Sequence, residues 1–187
     1  MTYVVSPSIS LNVISNDDCG MGQAQSVRSY GDKVLKIRRA ASIDEEVLTT
    51  IRRSAILTLA VPTLSVAQAE TWVTQTATDR IVRAIREHEV WVAVEERVIG
   101  WVEVDQDRVA ALYVSPSCSG RGVGSALLVR AERSIWGSGY PVAFLYASQN
   151  ALAFYLRRGY LHYSPPDGQG AHPLRKALVA DSLVRPS

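Results

Sequence analysis

The sequence has little of what marks most cofactor chemistries. Its two cysteines, Cys19 and Cys118, lie far apart in 187 residues. They form neither a metal-ligand cluster nor a disulfide framework, so no metal site is expected, and so few thiols fit a reducing cytoplasm. An excess of one charge is lacking too: 20 basic residues face 18 acidic ones. That balance excludes the strongly basic surface of a nucleic-acid-binding chain. No apolar run approaches the roughly 20 residues that span a bilayer. The first ten residues have no basic start, and Pro7 interrupts their apolar stretch, so they do not read as a signal peptide. Internal repeats are absent. The expectation is a soluble cytoplasmic protein without a membrane or nucleic-acid partner. What is present, 47% hydrophobic and 20% charged residues, is the composition of a globular domain. The length allows one domain with a sizeable core and a cleft.

Residues 1–32 are rich in Ser, Asn, Asp and Gly and keep no helical period. They read as a poorly ordered tail, with room for a short strand at 9–14. The domain is expected over 33–180, with 181–187 as a C-terminal tail. Val34-Leu35-Lys36-Ile37-Arg38 alternates as a strand does. Ser42 offers an N-cap with Glu45 three residues on. Val47, Leu48, Ile51, Ala55 and Leu59 then recur at helical spacing until Pro62 stops the helix. A helix restarts at Ser65 with Trp72 on its apolar side, breaks near 76–79 and resumes over 79–87. Strands follow at 90–94, 98–104 and 109–114, and their short connections imply an antiparallel meander. A helix over 122–136, a strand at 142–147, a helix at 149–158 and a short strand at 160–163 come next. A Pro- and Gly-rich loop at 164–171 leads to a last strand near 172–178. This order predicts a mixed α/β sheet with helices on both faces.

The most informative stretch is Leu112-Tyr113-Val114-Ser115-Pro116-Ser117-Cys118-Ser119-Gly120-Arg121-Gly122-Val123-Gly124-Ser125. A strand ends at Pro116, which cannot donate to a ladder. Alternate glycines then lead into a helix and let the backbone approach a ligand with no Cβ in the way. First-turn N–H groups lack internal partners and carry the positive end of the helix dipole. They make a phosphate or pyrophosphate site, to which Arg121 adds a cation. The glycine spacing is wrong for a dinucleotide fingerprint, and there is no Gly-Lys-Ser/Thr of a nucleotide-binding P-loop.

At these residues the chain resembles the GNAT superfamily of acetyl-CoA-dependent N-acetyltransferases. That family's signature runs from a strand and a Pro into Gln/Arg-x-x-Gly-x-Gly/Ala and a helix. Here Ser119-Gly120-Arg121-Gly122-Val123-Gly124 stands in its place, with Ser119 where the family has Gln or Arg. A second stretch, Asn150-Ala151-Leu152-Ala153-Phe154-Tyr155-Leu156-Arg157-Arg158-Gly159-Tyr160, is similar to the family's Asn-Ala-x-x-Phe-Tyr-x-x-x-Gly-Phe/Tyr helix. The segment Leu64–Trp72 is a weaker match to the helix covering the acceptor side. The resemblance spans residues 34–178. It implies a GNAT-like acyl-CoA N-acyltransferase fold with a mostly antiparallel central sheet.

The resemblance also implies roles. Leu112, Tyr113 and Val114 would pair through their backbone with the pantetheine arm. Gly120, Arg121, Gly122, Val123, Gly124 and Ser125 would hold the pyrophosphate. Asn150 would bond the pantetheine, although it also reads as a helix cap. Tyr155 would protonate the departing thiolate. Ala151 and Phe154 share a helical face and read as core, while Ser148 and Gly159 suit the two ends of that helix. The base is open between Glu103, Asp105 on the same strand face, and a water relay. His88 and His162 stand isolated in sequence and read as surface or packing residues, and Cys118 as a spacer. The expected reaction is direct attack of an amine, on a small molecule or a protein, upon acetyl-CoA. A non-catalytic acyl-CoA sensor, another nucleotide-binding α/β protein and a homodimer remain open.

Overall fold

The computed structural model describes residues 34–60, 78–168 and 170–179. The N-terminal tail, the helix expected from Ser65 and residues 181–187 lie outside them. Strand β1 (Lys36–Arg39) precedes a 3-10 turn (Ser42–Asp44) and helix α1 (Glu45–Ala60). Helix α2 (Thr78–Glu87) leads into strands β2 (Glu89–Val94), β3 (Val98–Asp105) and β4 (Arg108–Val114). Helix α3 (Val123–Gly137), β5 (Val142–Ala147), α4 (Gln149–Leu156), β6 (Leu161–His162) and β7 (His172–Ala177) follow. The strand-helix order matches the periodicity of the sequence at every described element. One local detail differs. The helical entry is capped by Asp44 rather than Ser42: Asp44 Oδ2 accepts the Ala41 N–H at 2.9 Å and an Arg38 Nη1 bond at 2.7 Å.

The seven strands form one sheet in the order β1-β2-β3-β4-β5-β7-β6. All neighbours are antiparallel except β4 and β5. The meander β2-β3-β4 is the expected one. Its second turn is so tight that Gln106 takes φ 56°, a left-handed conformation uncommon for a side-chain-bearing residue.

Both faces of the central strands are covered, so β3 is buried along nearly its whole length and reads apolar without clean alternation. On one face Leu127, Leu128, Ala131 and Ile135 of α3 recur at helical spacing and pack with Phe154 and Tyr155 of α4 on Val102, Leu112 and Leu145. On the other face Leu48, Ala55 and Ile56 of α1 and Ile81 and Ala84 of α2 pack on Val92, Trp101, Ala111 and Tyr113. Trp101 is wholly buried and donates from Nε1 to Leu48 O at 3.2 Å, which satisfies its polar end. Gly100 lets α3 lie close to the sheet. A Cβ there would stand 2.9 Å from Tyr113 O and 3.1 Å from Leu127 Cδ1.

Candidate active site

The end of β4, the glycine loop and the start of α3 form one side of the site. After Val114 the chain turns through Pro116–Cys118, then passes Gly120 at φ 75° and Gly122 at φ 79°. Both angles favour glycine, because an L side chain there crowds its own carbonyl. Gly122 is the N-cap of α3, and a Cβ on it would meet nothing within 4 Å. Val123, Gly124 and Ser125 follow it as the first turn of the helix, with their N–H groups at the positive end of its dipole.

Two guanidinium groups flank this turn. Arg121 Nη2 lies 2.6 Å from Glu95 Oε1, on the β2–β3 turn, and Nη1 is 3.5 Å from Cys118 Sγ. Glu95 thus holds at the loop the cation that the sequence assigned to the pyrophosphate. Cys118 is buried beneath it. The second guanidinium was not found from the sequence. Arg158, in the turn after α4, donates from Nη2 to Ser125 Oγ and from Nη1 to Phe154 O at 3.0 Å. It stacks 3.5 Å above the Phe154 ring. The Gly159 turn, with φ 83°, announces the end of α4. Nothing local announces that the residue before it reaches the first turn of α3.

The parallel junction supplies the other wall. Strands β4 and β5 pair at a single position, Arg108 opposite Phe144, next to a bond from Phe144 N to Asp107 O at 2.9 Å. Beyond it the ladder stops, whereas β3 continues to pair with β4 as far as Gly100 opposite Val114. The part of β4 holding Leu112, Tyr113 and Val114 therefore lines a split in the sheet. A bulge lies in the same strand. Glu103 pairs with Ala111 but Val104 pairs with Val109, so Ala110 is an extra residue. Bulges often accompany active sites because they re-aim neighbouring groups.

Tyr155 belongs to the same buried cluster as Leu112 and Val114 of β4. Its side chain is wholly buried, edge-on to Phe154 at 5.0 Å and to Tyr160 at 5.5 Å between centroids. Among the described residues its hydroxyl has no hydrogen-bond partner. Burial pushes its pKa well above the ordinary tyrosine value, the nearby Tyr113 adds to the rise, and Arg158 offsets part of it. The group is therefore a neutral acid over the whole physiological range. Ala151 and Phe154 are buried core, in line with their spacing. Ser148 takes the N-cap position of α4, and Asn150 sits in the first helical turn.

Glu103 lies on the α1/α2 face. Its carboxylate is 3% exposed and bound at both ends: Arg80 Nη2 is 2.7 Å from Oε2, and His88 Nδ1 is 2.7 Å from Oε1. Asp105 is 47% exposed, with Oδ1 3.8 Å from His88 Nε2. His88 is thus not isolated, as its sequence position suggested, but the centre of a polar cluster. His162 meets the His172 ring edge-on at 5.4 Å between centroids, away from it in the sheet order.

Residues 86–161, which hold the β2–β4 meander, the glycine loop, α3, the junction and α4, match the family described as Acetyltransferase (GNAT) domain. The match covers 76 of the 187 residues. Solved structures share its fold. A GCN5-related N-acetyltransferase from Rhodopseudomonas palustris is 22% identical, with a TM-score of 0.69 over 79% of this chain and 100% of the other. The PaiA N-acetyltransferase from Thermoplasma acidophilum, in complex with coenzyme A, is 22% identical with a TM-score of 0.69 over 78% and 99%. YncA from Salmonella typhimurium, with its cofactor acetyl-CoA, is 21% identical with a TM-score of 0.57 over 78% and 95%. No curated protein matches the sequence. Among the described residues, no helix is long and apolar enough to cross a membrane.

Proposed function

We propose that the chain is a GNAT acyltransferase that transfers an acetyl group from acetyl-CoA to a primary amine by direct attack. The observation that carries the reading is the Tyr155 hydroxyl, an acid buried in the cluster that holds Leu112 and Val114 and without a hydrogen-bond partner among the described residues. Leaving a buried hydroxyl unpaired costs about 1–3 kcal/mol. Such a cost makes sense where a ligand atom completes the bond.

The chain's own residues fit acetyl-CoA at each end. The α3 start and the Arg121 and Arg158 guanidinium groups suit the pyrophosphate. Backbone groups of Leu112–Val114, at the edge where the ladder stops, suit an extended amide-bearing arm. Asn150 stands close in sequence to Tyr155, in the first turn of the same helix. The thioester supplies an activated carbonyl, so no covalent enzyme intermediate is needed. What remains for the protein is to hold the amine in an attack geometry, take its proton through the cluster around Glu103, and give a proton to the sulfur from Tyr155. Calorimetry with acetyl-CoA, followed by thiol release over a panel of primary amines, tests this. Absence of acetyl-CoA binding refutes it. Binding without transfer to any amine favours a sensor of acyl-CoA.

A further inference from the structure

The cluster around Glu103 contains a better proton acceptor than Glu103 itself. Glu103 stands opposite Ala111, beside the bulge of β4. It therefore borders the middle of the strand that lines the split. Yet each of its oxygens already receives a bond at 2.7 Å, one from Arg80 and one from His88. Each oxygen keeps a further lone pair, but at 3% exposure the carboxylate is shut away from a substrate. A carboxylate anion only accepts, so His88 Nδ1 must carry the hydrogen of their bond. In the neutral imidazole this leaves the lone pair on Nε2. The His88 side chain is 30% exposed, so it can meet a substrate where Glu103 cannot. Among the described residues, the charged groups facing this imidazole are Glu103 and Asp105 from β3, with Arg80 of α2 behind Glu103.

We infer that His88 is the base of the transfer, and that Glu103 is a positioning residue that fixes its tautomer and orientation. Asp105 selects the acceptor class. Its carboxylate lies 3.8 Å from Nε2, too far for a direct bond, and a cationic amine beside the pair reaches both groups. The acceptor is therefore an ammonium at rest, without its own carboxylate close to the reacting nitrogen. Protons balance as follows. The ammonium gives one proton to His88 Nε2, which passes it to solvent. Nitrogen then bonds to the carbonyl carbon, and the carbon–sulfur bond breaks. Tyr155 protonates the sulfur, and the second proton shed by nitrogen restores Tyr155. The inference rests on the amine-transfer reading above.

Two measurements test it. In the ligand-free wild-type protein, ¹⁵N NMR of the imidazole should find Nδ1 protonated and Nε2 unprotonated in the neutral form. The opposite tautomer overturns the inference whatever the activity. Next, kcat and kcat/KM are followed against pH with acetyl-CoA and the amine panel. His88→Gln should lower kcat by about 10²–10⁴-fold and remove the acidic limb, with acetyl-CoA affinity unchanged. Glu103→Gln, which still offers an oxygen to Nδ1, should keep the limb but displace it, with a smaller loss of kcat. A His88→Gln enzyme with wild-type kcat and an intact limb overturns the role of His88 alone. A wild-type protein that binds acetyl-CoA and acetylates no amine overturns the transfer reading, and this one with it.

Discussion

Replacing Tyr155 by Phe removes one oxygen and leaves the ring where it is. The ring is wholly buried between Phe154 and Tyr160, and the lost hydroxyl has no partner among the described residues. Phenylalanine therefore gives up no protein hydrogen bond and sheds the desolvation cost of an unpaired hydroxyl, about 1–3 kcal/mol. The variant should be as stable as the parent or more so. Each kcal/mol gained corresponds to a rise in Tm of about 2–4 °C for a chain of this size. Chemistry should move the other way, with kcat falling by about 10²–10⁴-fold while acetyl-CoA still binds. The assay pairs thermal unfolding with thiol release at saturating acetyl-CoA. Opposite signs for stability and rate are what a ligand-directed acid predicts. A Tyr155→Phe protein that loses stability would mean that the hydroxyl serves the fold. An unchanged kcat would refute its role as proton donor. The raised pKa adds a second check: since Tyr155 must be protonated to act, no alkaline loss of kcat should arise from it up to about pH 10, its ordinary value.

Gly100→Ala should destabilise by about 1–3 kcal/mol, because the new methyl meets the Tyr113 carbonyl at 2.9 Å and backbone must shift; urea unfolding measures it. As Tyr113 lies on the strand lining the split, acetyl-CoA affinity should fall as well. Gly122→Ala faces no protein atom within 4 Å but must hold φ 79°, which costs about 1–2 kcal/mol. Its Cβ also projects into the space above the α3 start, so calorimetry should show weaker acetyl-CoA binding, and unchanged affinity would rule out the cradle. Asp44 has a pKa lowered mainly by its bond from Arg38. Its folded-state pKa is below the unfolded one, so its stabilisation is present above about pH 4 and is lost as pH falls through the folded value. The stability gap between wild type and Asp44→Asn should therefore shrink on acidification from pH 6, as followed by urea midpoints.

The amino-acid sequence by itself determined the elements and the two motifs. Spacing such as Leu127, Leu128, Ala131 and Ile135 declares which face of α3 is buried, because a helix repeats every 3.6 residues whatever it packs against. Short turns make β2-β3-β4 a meander, since two or three residues cannot carry a chain to a parallel position. Glycines at 120 and 122 declare backbone angles that other residues resist.

What lies across the sheet was not legible. That β7 inserts between β5 and β6, and that β4 and β5 pair only once, depends on register between distant segments, which no local pattern encodes. Only the tertiary structure gave Glu103 its two partners, brought Arg158 to Ser125 and set Glu95 against Arg121. Alternation put Glu103 on a strand face but could not say what stood above it. Arg80 and His88 arrive from α2 and from the entry to β2, across an antiparallel pairing. The identity of a side chain thus sets what chemistry it can do, and the long-range packing decides with which groups it does it.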